Sequence, residues 1–146
     1  MAKSTIYLRQ KLADAVLKGI AFSVDDLYVG IFEVLPTLDN ASDGTEFTPG
    51  VGGYARVEAK NKWTQDAGSL PTLVRYEINQ LLAFESLGPG WKNNHSAGDV
   101  KGVGFWDAST GGNCLMFAAI TPQRVIHPNQ DMDINVEALT IDFSAV

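Results

Sequence analysis

Phe105-Trp106-Asp107-Ala108-Ser109-Thr110-Gly111-Gly112-Asn113-Cys114-Leu115-Met116-Phe117, FWDASTGGNCLMF, places two glycines between an aromatic run and an apolar run. A glycine-rich loop that grips phosphate needs successive backbone N–H groups at the start of a helix, usually with a lysine to meet the charge. Here the residues after Gly112 are strand formers, no Lys or Arg lies in the stretch, and Asp107 would repel an anion. Asp-Ala-Ser-Thr-Gly-Gly supplies turn formers and two residues that accept positive φ. The stretch therefore reads as a hairpin, with Asp107, Gly111 and Gly112 as the structural turn.

Working outward from that hairpin, its flanks predict strands at Val100–Trp106 and Asn113–Ile120. Asp26–Glu33 (DLYVGIFE) is a near-continuous run of β-branched and aromatic residues, as for a buried strand, and Tyr54–Ala59 (YARVEA) alternates as for a strand with one wet face. Arg124–His127, Met132–Val136 and Ala138–Phe143 complete the strand set. Leu73–Phe84 (LVRYEINQLLAF) suits a helix or a strand equally, and Leu87-Gly88-Pro89-Gly90 would end either. One helix is expected, from about residue 5 to 18, with Ser4 as N-cap, Leu8, Leu12, Ala15 and Val16 as an apolar stripe, and Gly19 as the stop. Short strands parted by Gly, Pro, Asn and Asp predict a mainly β fold, an antiparallel sandwich or jelly roll with a short N-terminal α-helix. The expected division is an N-terminal helix or arm over 1–20 and a β-sandwich domain over 21–146.

The 146 residues suffice for one domain with a sizeable core, and 45% of them are hydrophobic. No apolar run approaches the length of a bilayer span, and the first twenty residues lack the core of a signal peptide. The single cysteine, Cys114, excludes an internal disulfide and, flanked by apolar residues, reads as a buried inert thiol. Net charge is −6, unevenly spread: Lys3, Arg9, Lys11 and Lys18 face only Asp14 in residues 1–20, which leaves −9 on the remainder. An acidic body argues against nucleic acid as the partner.

Catalytic and ligand motifs are weak. Asp39-Asn40-Ala41-Ser42-Asp43-Gly44 half matches a calcium loop, but Ala41 stands at a ligand position and Gly50 where a bidentate Glu is required. His95 and His127 have no partners at metal-ligand spacing, and no nucleophile elbow supports a hydrolase. The sequons at Asn40 and Asn94 carry no weight without a secretion signal. Trp63, Trp91 and Trp106 read as packing residues at a core edge rather than stacking platforms. No catalytic residue, metal site or cofactor is expected. Asp39–Gly53 (DNASDGTEFTPGVGG) is the most polar and glycine-rich segment, expected to be exposed and mobile unless a partner orders it.

Leu27-Tyr28-Val29-Gly30-Ile31-Phe32, Asp43-Gly44-Thr45-Glu46, Gly52-Gly53-Tyr54-Ala55-Arg56, Trp91, Val103-Gly104-Phe105-Trp106-Asp107-Ala108 and Gly111-Gly112-Asn113-Cys114-Leu115 follow one another in an order that resembles a known family. It is a family of small tailed-bacteriophage virion proteins, variously labelled tail fibre, head decoration or cement proteins, and the likeness covers about residues 20 to 143. Gln130-Asp131 departs from the family's Gly-Asp, and Pro71–Phe84 is longer than its pattern. The resemblance implies a non-enzymatic virion protein.

Together with the acidic body, it leads to the expectation of a capsid decoration or cement protein. Such a protein is made in the host cytoplasm and carried on the outer capsid surface. Its partners would be the major capsid protein and copies of itself as a homo-oligomer, with no nucleic acid and no membrane. The alternative is a tail-associated structural or receptor-binding module, a tail fibre component. Contacts are expected from Lys3, Arg9 and Lys11 on the helix and from Phe47, Thr48 and Pro49 in the loop, Phe47 being an apolar residue stranded among polar ones.

Overall fold

A computed structural model describes residues 2–66, 73–87, 100–124, 130–135 and 138–144. Eleven strands and one helix follow one another in these segments: β1 (Lys3–Ser4), α1 (Ile6–Lys18), β2 (Tyr28–Val34), β3 (Thr45–Glu46), β4 (Val57–Glu58), β5 (Trp63–Asp66), β6 (Leu73–Ile78), β7 (Leu82–Leu87), β8 (Val100–Trp106), β9 (Cys114–Arg124), β10 (Gln130–Ile134) and β11 (Thr140–Ser144). Every strand pairing is antiparallel. The class is therefore mainly β with one N-terminal helix, as the sequence predicts.

The strands group into three sheets. The largest has the order β1-β9-β8-β2-β3, with β4 also on β2; β10 pairs β7, and β11-β6-β5 form the third. This strand order does not by itself define a jelly roll. One apolar cluster draws on all three sheets: Val29 and Ile31 from β2, Val103 and Phe105 from β8, Ile78 from β6, Leu82 and Phe84 from β7, Met132 from β10 and Ile141 from β11. Burying these side chains out of water is the main force holding the sheets together.

Several local expectations shift by their tertiary setting. Leu73–Phe84 holds β6 and the start of β7, two strands of different sheets, because Asn79, Gln80 and Leu81 break the run where a helix would have continued. Of Tyr54–Ala59 only Val57–Glu58 joins a ladder; Tyr54 and Arg56 turn inward instead. Residues 125–127 of the expected Arg124–His127 strand lie outside the described residues, as do Trp91, His95 and His127.

The helix begins one residue later than expected. Thr5, not Ser4, is its N-cap, its side chain accepting from the Leu8 N–H at 3.4 Å. Thr5 is buried because its hydroxyl also donates to the Cys114 carbonyl at 2.7 Å, while its N–H reaches the Leu115 carbonyl at 2.9 Å. Ser4 is occupied elsewhere, paired with Met116 in the β1–β9 ladder. The left-handed Gly19 ends the helix as expected, with φ of 65°. Of the expected apolar stripe only Leu8 is fully buried, so α1 is anchored at its N-terminal turn and stands off the sheet beyond it. Among the described residues no helix is long and apolar enough to cross a membrane.

Candidate functional site

The segments that carry the family resemblance converge on one place, and the sheet explains why. Strand β2 pairs β8 along one edge, from Tyr28↔Trp106 to Phe32↔Gly102. Its other edge is shared: β4 takes Tyr28 and Val29, and β3 takes Phe32 and Val34. Between those two short pairings the Ile31 N–H would be orphaned. Tyr54 Oη accepts it at 2.9 Å, filling the break in the ladder.

Around that break lies a buried ionic cluster. Tyr54 Oη donates onward to Glu46 Oε1 at 2.9 Å. Arg56 meets the same carboxylate with two parallel bonds, Nε to Oε1 at 2.7 Å and Nη2 to Oε2 at 2.6 Å. Its remaining nitrogen, Nη1, donates to the carbonyls of Ala108 and Gly111, both at 2.7 Å, and its guanidinium lies 4.2 Å from the centre of the Trp106 ring. The side chains of Arg56 and Glu46 are 4% and 14% exposed. A charge this deep is tolerable only when paired and hydrogen-bonded, and this arginine is paired through two bonds and gives two more to carbonyls.

Room for the cluster comes from glycines. Gly30 and Gly104 face each other across β2 and β8. A Cβ at Gly30 would sit 2.6 Å from Glu46 Oε1 and 2.7 Å from Tyr54 Oη; at Gly104 it would strike the Trp106 ring at 2.4 Å. Burial drives the Tyr54 hydroxyl well above the ordinary tyrosine range, and the neighbouring Glu46 charge adds to the rise. The cluster consists of a neutral phenol, an ion pair and an indole, each tied to its neighbours. It is a clamp.

The Asp107–Gly112 hairpin is one jaw of this clamp. Gly111 and Gly112 have φ of 61° and 70°, and the Asp107 carboxylate takes both the Asn113 N–H at 2.6 Å and its side-chain amide at 2.8 Å. The loop's carbonyls point at Arg56, the opposite polarity from a phosphate cradle. Beside it the Cys114 thiol, pushed up to about 12 by burial, stays protonated at neutral pH.

The second place of interest is the surface joining α1 to the segment before β3. Asp39 receives Lys3 at 3.1 Å and Arg9 at 2.5 Å, and those two cations hold its carboxyl below the usual carboxylate range, Arg9 most strongly. The Ile6 N–H, one of the free donors of the first helical turn, bonds the Asp39 carbonyl at 2.8 Å. Asp43 binds the Thr37 and Leu38 N–H groups and the Thr37 hydroxyl, and its carboxyl is likewise lowered, first by Thr37.

The structure separates the expected contact residues. Lys3 and Arg9 are committed to Asp39; Lys11 lies over the Tyr7 ring at 5.6 Å; Thr48 is exposed and Pro49 half-buried. Phe47 requires a correction. It is 4% exposed, packed edge-on to Tyr54 with its N–H on the Ile31 carbonyl at 3.2 Å, and so belongs to the core rather than to a contact surface. Nor is the 39–53 loop loose. Gly50 N–H bonds the Tyr54 carbonyl at 2.7 Å and Val51 N–H the Thr48 carbonyl at 3.1 Å, so the loop is packed by its own backbone and by Phe47.

Sequence reasoning missed Glu46, Tyr54 and Arg56 as a unit; the alternation of YARVEA sets Arg56 on the same face as Tyr54 and Glu58, and only the structure shows that Tyr54 and Arg56 are buried. Trp63 is half-buried, its indole N–H on the Ala59 carbonyl at 2.9 Å and its ring 5.8 Å from that of Phe105; Trp106 is buried in the clamp. Among the described residues no group of three or more His, Cys, Asp or Glu side chains could hold a metal.

The site is an antiparallel β module knit by a buried ion pair. Over residues 3–142 the chain matches the model of the Gp80 family, described as podophage GP4 fiber I protein gp80, and it belongs to that family. It is a non-enzymatic, tail-associated virion protein of the fibre type. This corrects the capsid decoration reading, and with it the placement on the outer capsid surface: the acidic charge and absence of motifs that suggested a shell exterior suit a fibre equally, and the family decides. Comparison with characterised proteins gave no match.

Proposed function

We propose that the protein is a rigid structural module of a podophage tail fibre, serving to hold shape and spacing rather than to read a host sugar. The Arg56 clamp carries this reading. It ties β3, the 47–56 loop and the β8–β9 hairpin into one body, which is what a part that transmits load between neighbours needs. A glycan platform calls for an exposed aromatic face, and the indoles of Trp63 and Trp106 are both engaged in packing.

Immunogold labelling of purified virions tests the location. Label on tail appendages, at a few copies per particle, is the expected result; label spread over the head would refute it. Glycan-array binding by the isolated protein, lost on substitution of exposed loop residues such as Thr48, would replace the scaffold reading with a receptor-binding one.

A further inference from the structure

The outer face of α1 is apolar and uncovered by any described residue. Val16 is 82% exposed and Leu17 80%, with Ile6, Leu12 and, just past the helix end, Ile20 each about half exposed. At about 100° per residue, Ile6, Leu12, Ala13, Val16 and Leu17 share one arc of roughly 140°. We propose that this face pairs with the same face of a second copy of the chain, α1 packing antiparallel on α1 across a two-fold axis near Ala13. The inference goes beyond the fibre reading and does not depend on it, since it concerns only which surface joins two copies.

Three features choose this occupant. The first is area. These side chains expose on the order of 500 Å², at the upper end for a patch on a monomer, and two such faces together reach the ~1,000 Å² that a specific interface needs.

The second is charge. Arg9 is the one cation within the arc and it is paired with Asp39, which Lys3 shares. Lys11 and Lys18 project from the opposite side of the helix, Lys18 being bonded to Asp14 at 2.7 Å. The face therefore carries a single, already paired cation, and the other cations of the helix stay clear of the contact. A helix lying on an anionic membrane would set cations beside its apolar face and aromatic rings upon it; the helix's aromatic residue, Tyr7, is half-buried on the inner side.

The third is shape. Ala13 is small and exposed within the arc, so two helices can approach there; about a two-fold axis at Ala13, Ile6 of one copy lies toward Ile20 of the other and Leu17 toward the aliphatic stem of Arg9. A two-fold contact needs such self-complementarity.

Sedimentation equilibrium on the full chain tests the pairing, since a contact of this size is expected to be weak, roughly micromolar. The wild type should dimerise, and Leu17→Glu, at a position already exposed, should weaken the dimer at least tenfold with an unchanged circular dichroism spectrum. Leu81→Glu, on another exposed apolar residue, should leave it intact. In a Cys114→Ser background, Ala13→Cys should form a disulfide dimer on mild oxidation, whereas Lys11→Cys should not. A wild type that stays monomeric throughout that range, a dimer indifferent to Leu17→Glu, or Lys11→Cys crosslinking as readily as Ala13→Cys overturns the proposal. So does a wild type that co-sediments with phosphatidylserine vesicles and loses them on Leu17→Glu, which would assign the face to lipid.

Discussion

Arg56 and Glu46 meet as a two-bond ion pair, 2.7 and 2.6 Å, inside the protein and ten residues apart in the chain. The same guanidinium also closes the β8–β9 hairpin through the Ala108 and Gly111 carbonyls. Removing the arginine does two kinds of damage at once. It strands a buried carboxylate and leaves two carbonyls without donors.

Arg56→Met is therefore expected to cost about 3–5 kcal/mol, the range for breaking one side of a buried pair. At roughly 2–4 °C per kcal/mol that is a fall in Tm of about 6–20 °C. Adding Glu46→Gln should recover part of the loss, because the lone charge disappears, but not all of it, because the hairpin carbonyls stay open. Urea denaturation of both variants checks this; a double variant no more stable than Arg56→Met alone would contradict the clamp.

Tyr54→Phe deletes the acceptor of the Ile31 N–H and a donor to Glu46, for an expected loss of about 1–3 kcal/mol. The change also carries a pH signature. The native Tyr54 hydroxyl lies above its ordinary value of 10.0, so its contribution is present in full below pH 10 and is lost as pH rises through that value toward the higher native one. Alkaline titration of stability should be flatter for the Phe variant than for the wild type. Parallel curves would show that Tyr54 is not shielded.

The two turn glycines should separate. Both have positive φ, but a Cβ on Gly111 meets nothing within 4 Å, while on Gly112 it would lie 2.5 Å from Asp107 Oδ1 and 2.7 Å from the Ala108 Cβ. Gly111→Ala is expected to cost about 1 kcal/mol and Gly112→Ala about 2–3. Thermal melts that rank them the other way would show that the hairpin adjusts at Asp107.

Asp39 makes the seating of α1 sensitive to acid and salt. Its carboxyl is lowered by Arg9 and then Lys3, so the attachment is present above the ordinary carboxylate range and is lost as pH falls through the lower native value. Because all three side chains are exposed to solvent, salt should weaken the link as well. Protection factors for amide exchange in the first turn of α1 should fall at low pH in the wild type, and Asp39→Asn should show low protection at every pH. A first turn equally protected in both proteins would mean that Thr5 alone holds the helix.

Local chemistry was legible in the chain. Gly19 marks the end of α1, Asp107–Gly112 reads as a turn, and the runs around Tyr28, Val100 and Cys114 read as strands, because left-handed backbone, turn formation and β-branching are properties of a few adjacent residues. The order of the motifs from Leu27 to Leu115 was enough to point to a phage virion protein, and the family match settled that it is of the fibre type. Three matters were decided only by tertiary packing. Phe47 in a polar loop is core because Tyr54 and β2 receive it. Leu12 and Val16, regular members of a helical stripe, stay exposed because α1 touches the sheet only at its first turn. Arg56, Glu46 and the Ala108–Gly111 carbonyls form one clamp across as many as 65 positions of chain, from 46 to 111. Whether a charge is buried depends on the partners that long-range folding brings to it and on the space that Gly30 and Gly104 leave for it, and no window of sequence contains both.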